Sequence, residues 1–275
     1  MQNNHPNRSF WQKSNDLQCR AWPYRLSRFL RAKLHLWTAK VMLLADEPRA
    51  FQAWRRKWDP EHYVRLRRWH DRGFRPQIVY DIGAYKGAWS EMCHTIFAPR
   101  RILLFEPQVD FQQQARARQP KDANWQVVPV ALGDSEETQS LHVTQNRSAS
   151  SMLAPLVDGV PQEWGTGTLA RQEVQVAPLD RLVAQADLPP PDLIKIDVQG
   201  FEGRVIAGGK TIIAKAQRMV IEVSLRAIYK GQPLLPEILQ TVSELGFEVE
   251  DLTETCREWA GPLWQTDLWL KRRDL

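Results

Sequence analysis

The feature that most constrains the fold is a change of rhythm at Pro76. Beyond it, short apolar runs at QIVYDIG (77–83), RILLFEP (101–107), WQVVPVALG (125–133), DLIKIDV (192–198) and MVIEVSL (219–225) are separated by helically spaced stretches at 87–97, 108–119, 201–215 and 234–245. Unbroken apolar runs of this length are strands covered on both faces, and strands alternating with helices build a parallel, doubly wound α/β sheet. FEVEDLTE (247–254) and WQTDLWLKR (264–272) add two strands whose connection is too short for a crossover helix, so they pair antiparallel. Residues 134–180 break the alternation: TQSLHVTQ reads as an inserted hairpin, SASSMLAPL and VPQEWGTGT as loop.

Charge divides the chain at the same place. Residues 1–75 carry 17 Lys+Arg against 6 Asp+Glu, with six of the twelve Trp, whereas residues 76–275 carry 20 against 26. Residues 1–20 have no periodicity and read as a disordered tail. Residues 21–75 read as a basic helical extension. Leu26, Leu30, Leu34, Trp37, Val41 and Leu44 form one apolar stripe. A second helix starts at Asp46 with Pro48 in its first turn, and Phe51, Trp54 and Trp58 share a face. Asp59-Pro60 caps a third helix with Tyr63, Leu66 and Trp69 inward and Gly73 closing it. The stripe suits a cap on the rest of the chain or a homo-oligomer interface, and peripheral membrane contact through residues 21–45 is the alternative. Cys19, Cys93 and Cys256 are scattered and form no C-x-x-C pair, which indicates neither a disulfide framework nor a zinc cluster. The first twenty residues lack the apolar core of a signal peptide, and no run approaches the roughly 18 apolar residues of a membrane span. A cytoplasmic location is expected, with the membrane surface as the alternative.

Chemistry-bearing residues fall at strand ends. VYDIGAYKG (79–87) runs a strand through Asp81, Gly83, Ala84 and Gly87 into a helix, where glycines admit a ligand close to the backbone. Its spacing is neither G-x-G-x-x-G nor a phosphate loop, and an acid at this strand end suits the α-ammonium of S-adenosylmethionine (SAM). The bland alternative is a tight turn. Glu106 in LLFEP lies 23 positions after Gly83, near the offset of about 20 at which nucleotide-binding sheets place a ribose-binding acid. VALGD (130–134) offers Ala131 and Asp134 to an adenine ring, or is a plain Gly-Asp turn. DLIKIDVQGFEG (192–203) places Asp197 at the next strand end. Asp197, Glu202 and Glu222 are the candidate catalytic residues, because an acceptor hydroxyl needs a base or a metal to lose its proton. Hard oxygens of Asp197 and Glu222 would suit Mg²⁺. A helix cap at Asp197 and an ion pair at Glu222 are the structural alternatives. The six histidines form no metal spacing.

Together, VYDIGAYKG, LLFEP, VALGD, SASSML, VAPLDRL, DLIKIDVQGFEGRVIAGG, VIEVSLRAIYKGQPLLPEIL and LGFEVEDL resemble the FkbM-type SAM-dependent methyltransferases, in order and over about 76–272. The resemblance implies a Rossmann-like α/β fold, O-methylation of a sugar, glycan or natural-product hydroxyl, a SAM cradle at Asp81, Gly83 and Gly87, and a ribose contact at Glu106. Residues 76–275 are then the SAM-dependent methyltransferase domain, with strand order 3-2-1-4-5-7-6. Val198-Gln199-Gly200 departs from the Val-Glu-Gly of many relatives, so any task of that carboxylate passes to Asp197 or Glu202. Two rival readings stand beside this one: an RNA methyltransferase using the basic segment as its footprint, and a SAM-binding partner protein without turnover. The absence of an N/D-P-P-Y/F strand end disfavours an exocyclic amine as acceptor, and nucleic acid is disfavoured as partner.

Overall fold

The computed structural model describes residues 50–257 and 261–274. The expected tail, the Leu26–Leu44 stripe and the helix start at Asp46 lie outside them. The main sheet has seven strands in the order β3-β2-β1-β7-β8-β10-β9. They are β1 (Ile78–Ile82), β2 (Arg101–Phe105), β3 (Trp125–Val128), β7 (Leu193–Ile196), β8 (Arg218–Ser224), β9 (Phe247–Arg257) and β10 (Leu263–Arg272). Counted among themselves, this is 3-2-1-4-5-7-6, and only β10 runs antiparallel to its neighbours β8 and β9. The fold is the expected Rossmann-like α/β class.

Alternation along each strand sorts the core into two layers. Tyr80, Ile82, Leu103, Phe105, Ile194, Ile196, Met219, Ile221, Leu268 and Leu270 face the helices Leu179–Gln185, Glu202–Ile213 and Leu235–Glu244. Val79, Ile102, Leu104, Leu193, Val220 and Trp269 face the helices Pro60–Asp71 and Ala88–Phe97. That second face changes character at its carboxyl edge, where the next inward positions are Asp81, Lys195, Glu222 and Asp267, all buried.

Pro60–Asp71 forms where its cap sequence places it. The Asp59 carboxylate accepts from the backbone N–H of Glu61 and of His62, and Pro60 fills the first turn without losing a needed donor. Tyr63, Leu66 and Trp69 are buried as expected. The Trp69 indole donates to Glu250 at 2.8 Å and meets Trp269 edge-on at 5.0 Å, and Arg65 pairs with Asp251 at 3.0 Å, so this helix is fastened across β9 and β10. Trp58 is not on the preceding helix, which ends at Arg56; it is buried in the link that follows, after Lys57 turns the chain at φ 58°.

Two other expectations change. The run WQVVPVALG is not one strand: Pro129 offers no N–H, β3 stops at Val128, and β4 (Ala131–Gly133) joins a second sheet of order β4-β6-β5. TQSLHVTQ is one strand and not a hairpin in itself: β5 (Glu137–Thr144) runs antiparallel to β6 (Thr168–Pro178), across the stretches expected as loop. The helix Leu179–Gln185 had no counterpart in the sequence reading.

Candidate active site

A cleft of about 440 Å³ opens over the carboxyl ends of β1, β2, β7 and β8 and beside the start of the short strand that begins at Ala131. Open α/β sheets hold ligands at this edge because strand order reverses there and the loops diverge. One half of the cleft is walled by backbone and apolar groups: Gly83, Ala84, Tyr85, Glu106, Ala131 and Leu132. The other half is polar, with His62, Lys195, Asp197, Glu222, Thr253 and Asp267.

In the first half, the N–H groups of Gly83 and Ala84 both donate to the Phe105 carbonyl, which pulls the β1 turn down onto β2. Gly83 has φ +76°, and a Cβ there would lie 1.9 Å from the Asp197 carbonyl oxygen. No larger residue fits between the ends of β1 and β7. Glu106 lines the cleft as expected. Its two oxygens accept from the N–H of Tyr85 and of Gln108, both at 2.9 Å, which fixes the carboxylate plane. Burial pushes its pKa up to about 7 despite those two donors. Ala131 also lines this half. The Trp89 indole N–H in the same wall is buried and has no partner among the described residues. A backbone cradle, a fixed acceptor and an unused donor fit the nucleoside and amino-acid ends of SAM.

Four expected contacts are placed elsewhere. Asp81 is fully buried one layer below the wall, with Ser90 donating to it at 2.7 Å and the Lys195 ammonium 3.9 Å away, so it is not positioned to touch a ligand directly. Asp134 turns outward to Arg204 at 2.6 Å rather than toward an adenine. Glu202 folds back on its own turn, accepting from the N–H of Val198 and of Gly200 at 3.1 Å, which leaves it a cap and not a cleft residue. The sequence located these positions along the chain but could not say which way their side chains point. Gly87 closes the turn as helix cap and packs against Ala115 and Trp125 instead of lining the cleft.

In the polar half, strand register makes a charged layer. Asp81 sits opposite Lys195 across β1 and β7, and Glu222 opposite Asp267 across β8 and β10. Lys195 donates to Asp197 at 3.0 Å. Burial alone would lower the Lys195 pKa, but Asp197 and then Asp81 outweigh it and hold the ammonium charged. The Gln199 amide donates to Asp197 and to Glu222, both at 2.8 Å, from a backbone at φ 55°. Gln265 donates to the same Glu222 oxygen at 2.9 Å, and burial followed by the charge of Asp197 raises the Glu222 pKa well above the ordinary range.

This geometry corrects the expected Mg²⁺ site at Asp197 and Glu222. An amide N–H₂ stands between the two carboxylates and an ammonium occupies the other flank of Asp197, so donors fill the places a hard cation would need. No group of three His, Cys, Asp or Glu among the described residues is arranged for a metal. The departure at Gln199 thus has a structural sense: a third carboxylate here would face two others.

Sequence reading missed His62, Lys195 and Asp267. His62 Nε2 lies 2.7 Å from Asp267 Oδ2, and Asp267 also accepts from the hydroxyls of Thr253 (3.2 Å) and Thr255 (3.1 Å). The available signal was a lone charge inside an apolar strand, as in DLIKID and WQTDLWL.

The profile of the methyltransferase FkbM domain matches residues 81–249. A 2-O-methyltransferase NoeI of Sinorhizobium fredii (strain NBRC 101917 / NGR234) is 28% identical over 182 residues, which are 59% of this chain and 69% of that protein. Among solved structures, magnesium protoporphyrin IX methyltransferase (ChlM) from Synechocystis PCC 6803 with bound SAM matches at TM-score 0.44 and 12% identity, over 77% of this chain and 78% of that one. The precorrin-6y C5,15-methyltransferase from Geobacter metallireducens GS-15 matches at TM-score 0.39 and 14% identity, over 73% and 83%.

Proposed function

The chain belongs to the FkbM methyltransferase family and is a SAM-dependent methyltransferase, and we propose that it delivers the methyl group to a hydroxyl of a sugar, glycan or natural product. The observation that carries this reading is its likeness to an O-methyltransferase, NoeI, across most of that protein. The polar half of the cleft, with carboxylate, imidazole and hydroxyl groups converging beside the cofactor half, supports it.

When bound, SAM supplies a methyl group on a sulfonium centre. The chain's own residues hold and align. Glu106 accepts from the two ribose hydroxyls, and its backbone donors Tyr85 and Gln108 keep it in that orientation. Gly83 and Ala84 let the ligand lie on the backbone, and Ala131 and Leu132 flank the adenine. Asp197, held by Lys195 and Gln199 at the junction of the two halves, orients the acceptor hydroxyl. Alignment of two bound reactants is the main source of rate in such a transfer.

The test is methyl transfer from labelled SAM to a panel of saccharides, glycolipids and cell extracts. The expected product is an alkali-stable methyl ether with one S-adenosylhomocysteine released per methyl. Label appearing only on amines or RNA would refute the acceptor class, and SAM binding without turnover on any acceptor would refute catalysis.

A further inference from the structure

We propose that His62 and Asp267 form the dyad that removes the proton from the acceptor hydroxyl, an assignment that rests on the O-methylation reading. Both residues lie outside the matched segment 81–249, one on a helix before it and one on the last strand after it. They meet across 205 positions, at the cleft wall.

The geometry assigns each nitrogen a task. Nε2 donates to Asp267 Oδ2 at 2.7 Å, which leaves the lone pair on Nδ1. Nδ1 makes no hydrogen bond among the described residues, and the ring lines the cleft. The ring is braced from three sides. Trp269 meets it edge-on at 5.0 Å, Asp59 fixes its backbone N–H at the helix cap, and Asp267 is itself held by Thr253 and Thr255. A base oriented by a buried carboxylate, itself oriented by hydroxyls, is the arrangement general-base catalysis requires.

The acids that the sequence pointed to are less suited to the task. Glu222 receives two amide donors, Asp197 receives an ammonium and an amide, and Glu202 is turned away. In the step, the acceptor O–H proton passes to Nδ1 as the oxygen bonds to the methyl carbon. The carbon–sulfur bond breaks with its electron pair going to sulfur, which becomes the neutral thioether of S-adenosylhomocysteine. The proton stays on the imidazolium, paired with Asp267, until it leaves to solvent.

Charged groups around the ring are Asp267 on β10, Lys195 on β7, Asp59 at its own helix cap and Glu61 beside it on the same helix. Burial lowers the His62 pKa, but Asp267 by charge and by hydrogen bond, and then Asp59, more than reverse this against the opposing Lys195, so the imidazolium is favoured. Turnover should therefore rise with pH as His62 gives up its proton.

The experiment combines two readouts. Histidine titration by NMR in the unliganded protein, with His62 assigned by His62→Gln, should show a raised pKa that falls in Asp267→Asn. His62→Gln should lower turnover roughly a hundredfold or more and remove the rising limb of the pH–rate profile. SAM affinity should stay within about twofold in both variants, which also reports that they fold. An unmoved His62 titration in Asp267→Asn, or wild-type turnover in His62→Gln, overturns the dyad alone. A wild-type protein that methylates amines but no hydroxyl overturns both the dyad's role and the functional reading.

Discussion

Replacing Gly83 with Ala tests the contact on which the cofactor half is built. The added Cβ would lie 1.9 Å from the Asp197 carbonyl oxygen and 2.8 Å from its carbon, both rigid backbone atoms. The left-handed φ of +76° costs about 1 kcal/mol for any residue with a side chain. Relief of the overlap requires the ends of β1 and β7 to part, which breaks the hydrogen bond from Asp197 N–H to the Ile82 carbonyl at 3.0 Å, worth about 1 kcal/mol. Residual overpacking adds about 1–3 kcal/mol. The sum is roughly 3–5 kcal/mol, or about 6–20 °C in Tm for a unit of this size. Gly231 supplies the control: it has φ +71° with nothing within 4 Å of its would-be Cβ, so Gly231→Ala meets only the conformational penalty of about 1 kcal/mol. Thermal melts of the two variants side by side isolate the β1–β7 contact. Equal Tm values for Gly83→Ala and Gly231→Ala would refute the close approach of the two strand ends.

Other expectations follow from the same structure. Because burial raises the Glu106 pKa to about 7 and ribose hydroxyls prefer the anion, SAM affinity should fall about tenfold between pH 8 and pH 6, and Glu106→Gln should flatten that dependence in calorimetry. Glu202, pushed by burial to about 7 from an ordinary 4.5, stabilises the fold fully below about pH 4.5 and loses that contribution as pH rises through 7; Glu202→Gln should remove on the order of 3 kcal/mol of that acid-side preference in denaturant melts. Turnover should be indifferent to chelator, since amide and ammonium donors fill the space between Asp197 and Glu222; loss with chelator and recovery with Mg²⁺ would refute that account. A fragment of residues 76–275 loses Trp58, Tyr63, Leu66 and Trp69, buried side chains worth roughly 1.5–3 kcal/mol each, and should aggregate; a soluble fragment with unchanged Tm would refute their role as core.

Much of the frame was legible because it rests on local rules. Apolar runs between helical stretches announced the strands, the short link before Leu263 announced antiparallel pairing, and Asp59-Pro60 announced a helix start. Glu106 was legible because its offset from Gly83 follows from one strand–helix–strand unit. The charged layer was not, because it depends on register. Glu222 faces Asp267 only when β10 pairs with β8 in one particular alignment, and Lys195 faces Asp81 only when β7 lands beside β1. Asp134 and Glu202 were misassigned for a different reason. Asp134 directly follows β4 and Glu202 begins the helix after β7, but Arg204 draws the first outward and the N–H groups of Val198 and Gly200 draw the second into its own turn.

The cleft is also divided along the chain, and that division bears on how its acceptor is chosen. The cofactor half comes from residues 83–132, inside the matched family segment, whereas Trp58 and His62 precede it and Thr253, Thr255 and Asp267 follow it. Apart from Trp58, whose indole donates to Glu91 on the helix that follows the cradle, these flanking groups are joined to one another: His62 and both threonines bond Asp267, and Trp69 spans to Glu250 and Trp269. Energetic coupling between sites needs shared partners, and effects at independent sites add. Changes in the flanking cluster should therefore alter acceptor KM and turnover while SAM affinity holds. Thr255→Val is the sharpest case, because it removes one donor to Asp267 at 3.1 Å from an exposed position without touching a cofactor-half residue. A matching loss of SAM affinity in that variant would mean that the two halves are one cooperative unit and that acceptor choice is not separable from the cofactor site.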